Sequence, residues 1–180
     1  MCPDQPEPLQ RLFFALWPDA AVRAALAQSS EQVLGKRVRR VPESNLHITL
    51  AFAGPVKAAV RQCLEQQAAA IRAAPFELVL EHVGHWPRPR ILWTGPRHTP
   101  PALWSLVGGL NHAFEACGLA LETRPWQAHI TLARKISRPP PVTAIAPIHW
   151  SISDFCLVES VTGPQGSSYR ILASWKLEGE

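Results

Sequence analysis

The sequence predicts an α+β fold built from two similar lobes, and three observations carry that prediction. Stretches with the two-residue alternation of strands are mixed with stretches of helical spacing along all 180 residues. The pentapeptide His47-Ile48-Thr49-Leu50-Ala51 recurs letter for letter as His129-Ile130-Thr131-Leu132-Ala133, 82 residues later. At average residue usage such an identity is expected in roughly one chain in a hundred, so each lobe is assigned one copy. Proline supplies 18 residues, about twice the average share, which marks many loop boundaries and excludes a coiled coil.

The elements follow in order. Residues 1–10 are polar and proline-rich, a flexible tail ahead of a single bilobal domain over 11–180. Arg11 to Trp17 is short, apolar and aromatic, and stops at Pro18 as a buried strand does. Pro18-Asp19 opens a helix with Ala21, Val22, Ala25, Leu26 and Val33 at helical spacing. After the basic run Lys36-Arg37-Val38-Arg39-Arg40, a strand over 46–52 stops at Gly54-Pro55, and 56–73 reads as a second helix. Strands over 76–83 and 91–94 flank the turn Trp86-Pro87-Arg88-Pro89-Arg90. A third helix runs from Pro101 to Cys117 and ends at Gly118, a residue suited to a helix C-terminus. Residues 128–133 are a strand and 137–147 a proline-rich loop. Strands over 148–161 and 169–177 then pair as a hairpin around Gly163 to Gly166.

Composition removes several function classes. Hydrophobic residues at 47% and charged residues at 18% exclude a disordered chain. The net charge of +4 and pI of 9.2 suit an anionic ligand such as a phosphate ester. Four cysteines lie far apart with no CxxC pair, so neither a zinc knuckle nor a redox dithiol is expected. Cys63 and Cys117 are expected as small core residues. No signal-peptide pattern opens the chain and no apolar run approaches the roughly 18 residues of a membrane span. A soluble, cytoplasmic monomer in a reducing compartment, with no membrane partner, is the expectation.

The repeat carries the chemistry. Alternation places His47, Thr49 and Ala51 on one face of a strand and Ile48, Leu50 and Phe52 on the other. The second copy divides in the same way. Two such stripes meeting across a pseudo-twofold axis line one cleft with two imidazoles and two hydroxyls. Direct attack of water on a phosphodiester needs a base for the nucleophile and an acid for the departing oxygen. Histidine fills either role near neutral pH. The threonine hydroxyls can donate to the non-bridging oxygens, whose charge grows in the transition state. This arrangement requires no metal and no cofactor.

With these flanks the chain resembles the two-histidine (2H) phosphoesterase superfamily, and within it the RNA 2′,3′-cyclic phosphodiesterases, also called 2′-5′ RNA ligases. The resemblance runs through Arg11 to Leu16, Asn45 to Gly54, Trp86 to Trp93, His129 to Arg134 and the Gly166-Ser167-Ser168-Tyr169 turn. It implies two antiparallel sheets with outer helices and a cleft between them. It also implies hydrolysis of an RNA 2′,3′-cyclic phosphate to a 2′-phosphate without metal, with reverse 2′-5′ ligation as a side activity. By motif position His47 is the proton donor, His129 the proton acceptor, and Thr49, Thr131 and Arg134 hold the phosphate. Ala128 stands where the family favours proline. Strict alternation turns Arg134 away from the His/Thr face, so its role requires the strand to end or bulge there.

Other candidates have two readings each. Trp86 either stacks on a base at the cleft rim or packs within the protein. Arg37, Arg39, Arg40, Arg88 and Arg90 either track an RNA backbone or form a solvated surface. His82 and His85 form HxxH without a third ligand, and alternation sends them to opposite faces. The alternative to the enzyme is a non-catalytic RNA- or nucleotide-binding module using the same cleft.

Overall fold

The computed structural model describes residues 7–164 and 166–179. Of the segment expected as a tail, residues 1–6 lie outside the described residues. The Glu7 carboxylate accepts a hydrogen bond from Ala58 N, and Gln10 already belongs to a strand.

The described residues form eight strands and three α-helices in the order β1 (Gln10–Leu16), α1 (Ala20–Leu34), β2 (Ile48–Val56), α2 (Ala58–Ala69), β3 (Phe76–Trp86), β4 (Ile91–Gly95), α3 (Pro101–Ala116), β5 (Ile130–Arg134), β6 (Ala144–Ile152), β7 (Asp154–Gly163) and β8 (Gly166–Lys176). Local chemistry sets the helix limits. The Asp19 side chain accepts from Val22 N at the start of α1, and Gly35, at φ +71°, closes it. α3 starts on Pro101 and turns Leu103, Leu106, Val107, Leu110 and Phe114 inward at three- and four-residue spacing.

The strands hydrogen-bond antiparallel in the order β6-β3-β4-β5-β2-β1-β7-β8. The two sheets implied by the resemblance are the two halves of this order, joined at β2–β5 by the single pair Ile48↔Ile130. Past that pair the strands part, because the edge of β5 is taken by another segment. Arg40 bridges Ala133 and Val41 N donates to Leu132 O. The half β6-β3-β4-β5 comes from one stretch, residues 76–152. The other half is assembled from β1, β2, β7 and β8. Leu12, Phe14, Ile48, Leu50, Leu78, Leu80, Ile130 and Trp150 share one core with the inner faces of the helices.

Three elements differ from expectation. β2 runs through Gly54-Pro55 to Val56, since its outer edge there is unpaired and a proline without N–H costs nothing. The strand expected over 148–161 is two strands broken at Ser153, and part of the expected loop, 144–147, belongs to β6. The break sends the chain from the edge of one half to the interior of the other. Third, Cys63 and Cys117 are a disulfide, with Cα atoms 5.8 Å apart. Packing of α2 on α3 brings together residues that are 54 apart in sequence. In the chain-entropy account, closing that loop contributes about 3–5 kcal/mol. Reduction is therefore expected to lower the melting temperature by several degrees. Identical melts with and without reductant would show that the bond constrains nothing.

Candidate active site

Ile48↔Ile130 pairs equivalent residues of the two copies of the repeat, and a pseudo-twofold axis passes between them. Each catalytic candidate, His47 or His129, is the residue immediately before its strand. An antiparallel register at Ile48↔Ile130 sets His47 opposite Thr131 and Thr49 opposite His129. All four line one cleft, a cavity of about 1250 Å³ between the halves. The floor beneath is apolar, because Ile48, Leu50, Ile130 and Leu132 point the other way and are at most 2% exposed.

Each imidazole is held by its own backbone. His47 Nδ1 lies 2.7 Å from Asn45 O, and His129 Nδ1 lies 2.8 Å from Gln127 O. A carbonyl can only accept, so Nδ1 carries the proton in both rings and Nε2 is the free nitrogen. Neutral, Nε2 is a base; protonated, it is an acid.

A β-bulge answers the alternation problem at Arg134. Leu92 pairs with Ala133 but Trp93 pairs with Thr131, so Leu132 is an extra residue on β5. One extra residue returns Arg134 to the face of Thr131, and Arg134 lines the cleft. β2 carries the same bulge at Leu50, between the pairs Phe14↔Ala51 and Ala15↔Thr49. It turns Phe52 into the cleft at the position that mirrors Arg134, half exposed and capped by the Arg11 guanidinium 4.7 Å from its ring centre.

The walls around the two histidines are unequal. Trp17 lies parallel to the His47 ring (interplanar 4°, centroids 5.1 Å), with Phe13 and Tyr169 closing two more sides. Phe13 and Tyr169 lie in stretches that carry the resemblance, but none of the three was given a role in the site from the sequence. The available signal is that β1 is apolar on both faces, so both faces are covered. Trp86 is not among the cleft-lining residues; its ring packs edge-on to His129 at 4.6 Å and beside Trp93. His85 Nε2 bonds Ile136 O, while His82 packs on Trp93.

Burial pushes the His47 imidazolium down to about pKa 4, against the Asn45 carbonyl, and the positive charge of His129 and Arg134 lowers it further. Burial also lowers His129, opposed by Gln127 O and assisted by Arg134. Both rings are thus neutral in the empty cleft at pH 7, and an anion between them supplies the charge that favours protonation. Stability follows the same sign. With His47 near 6.5 when unfolded and about 4 when folded, its contribution is complete above pH 6.5 and lost as pH falls through 4. That loss is worth about 3 kcal/mol, so the melting temperature should fall between pH 6.5 and 4, and fall less in His47→Asn. Equal slopes would mean that His47 is charged at little cost.

Known proteins resemble this chain in both sequence and fold. The family model of the 2′-5′ RNA ligase superfamily matches residues 17–164. An RNA 2′,3′-cyclic phosphodiesterase of Escherichia coli (strain K12) is 34% identical over 182 residues, covering 93% of this chain and 97% of its own. One from Thermus thermophilus is 31% identical, covering 94% and 91%. Among solved structures, E. coli LigT complexed with NADP+ superposes with a TM-score of 0.86 at 32% identity, covering 95% of this chain and 98% of that one. LigT complexed with 3′-AMP gives 0.83 at 33%, covering 94% and 98%. The matched span holds both histidine motifs and the bulged strands that follow them, and this chain belongs to the 2′-5′ RNA ligase superfamily.

Proposed function

We propose that the protein hydrolyses the 2′,3′-cyclic phosphate at an RNA end to a 2′-phosphomonoester. The carrying observation is the pair of Nε2 atoms left free in one cleft by backbone bonds at Nδ1. His129 takes a proton from the attacking water as its oxygen bonds phosphorus. The P–O3′ bond breaks, and His47 gives its Nε2 proton to O3′, leaving a 3′-hydroxyl. Thr49, Thr131 and Arg134 donate to the non-bridging oxygens. Every group named comes from one chain, so a monomer suffices. The relatives named as RNA 2′,3′-cyclic phosphodiesterases and the nucleotide complexes of LigT support this reading.

The test is an oligoribonucleotide ending in a 2′,3′-cyclic phosphate, incubated with excess EDTA, with the product isomer identified. Conversion to the 2′-phosphate is expected, and Thr49→Ala and Thr131→Ala should each cost about 10²–10³-fold or less. Tight binding without turnover would instead make the protein a binding module. Turnover only with an added divalent ion would overturn the two-histidine scheme.

A further inference from the structure

Charge is unevenly placed around the cleft. The rim on the β5 side carries Arg39, Arg134, Lys135 and Arg138, whereas the β7–β8 side presents uncharged hydroxyls such as Thr162 and Ser167. The bridge Arg40↔Ala133 explains how Arg39 arrives there. Antiparallel pairing at that point sets Arg39 opposite Arg134, and opposed residues share a face with Cα atoms about 5 Å apart. The Arg40 guanidinium is engaged by Glu31 (3.9 Å) and Gly35 O. Like charges set opposite one another across strands are destabilising. Among the described residues no carboxylate pairs with Arg39, Arg134, Lys135 or Arg138. The cavity, at about 1250 Å³, also exceeds the roughly 300–1,000 Å³ of small-molecule pockets.

We propose that Arg39 binds the phosphodiester preceding the terminal nucleotide and that Arg138 continues the track, so that the protein selects an RNA chain over a cyclic mononucleotide. This rests on the hydrolytic reading above. Arg134 holds the reacting phosphate, and Arg39, its neighbour across the bridge, reaches the next anion along the strand. Guanidinium suits this task because its planar donors engage phosphate oxygens two at a time. Of the five arginines that the basic run and the 86–90 turn offered, Arg39 and Arg40 line the cleft, and of these two Arg40 is paired with Glu31 whereas Arg39 has no acidic partner among the described residues.

The experiment compares two substrates, cytidine 2′,3′-cyclic phosphate and a pentaribonucleotide with the same cyclic end, on wild type, Arg39→Ala and Arg138→Ala. Each variant is expected to raise KM for the pentamer about tenfold while leaving kcat/KM for the mononucleotide within twofold, which also reports an intact fold. Each should reduce the slope of log affinity against log salt for the pentamer by about 0.7. Equal losses on both substrates, or no loss on the pentamer, would overturn the track and leave the hydrolytic reading standing. A wild type inert toward both substrates would overturn the hydrolytic reading and the track with it.

Discussion

His47→Ala and His129→Ala are each expected to lower kcat by about 10²–10⁴-fold with melting behaviour close to wild type. Both rings line the cleft, and the main core is packed by their neighbours Ile48 and Ile130 rather than by the imidazoles. The two losses should not multiply, because an acid and a base that act in one displacement fail together. The pH profiles separate the roles. Wild-type turnover should rise as His129 loses its proton and fall as His47 loses its own. His129→Ala should therefore lose the acidic limb, and His47→Ala the alkaline one. Near-normal turnover in either variant would end the paired-histidine mechanism.

Arg134→Ala should cost about 10²–10³-fold in kcat, the range for a lost donor to a developing oxyanion. A second consequence distinguishes it from a simple binding defect. The guanidinium lowers the pKa of both histidines, so its removal should raise both and move the whole kcat/KM profile to higher pH. Arg134→Lys keeps the charge but not the planar fork; it should restore the position of the limbs more fully than the rate. A rise in KM at constant kcat, with an unmoved profile, would reduce Arg134 to ground-state binding.

The candidate site was legible because it is written twice. His47, Thr49, His129 and Thr131 followed from the repeat and a period of two, and their cleft follows from the axis that the repeat demands. What alternation cannot register is an inserted residue. Leu50 and Leu132 look like ordinary strand leucines, yet each is the extra residue of a bulge that reverses the face of Phe52 and Arg134. The break at Ser153 was hidden for a different reason: no proline or glycine marks it, and the alternating apolar residues Ile148, Trp150 and Ile152 lead straight into the apolar run Phe155 to Val158. The Cys63–Cys117 bond depends on how α2 packs against α3, which spacing along the chain does not contain. The aromatic wall of His47 joins Trp17 to Tyr169 across β7, a neighbour relation set by strand order alone.

That strand order also sets a timetable for biosynthesis. The half holding His129 is complete in the nascent chain once residue 152 has been added, whereas the half holding His47 waits for β7 and β8. β1 then closes on a partner as distant as Glu159, opposite Leu12, and pairing over such separations is slow. Phe13 and Trp17 are already present, but Tyr169, which closes another side of the His47 ring, arrives only with β8. Until β7 and β8 are made, the chain holds both histidines without the strand that completes the aromatic wall of His47.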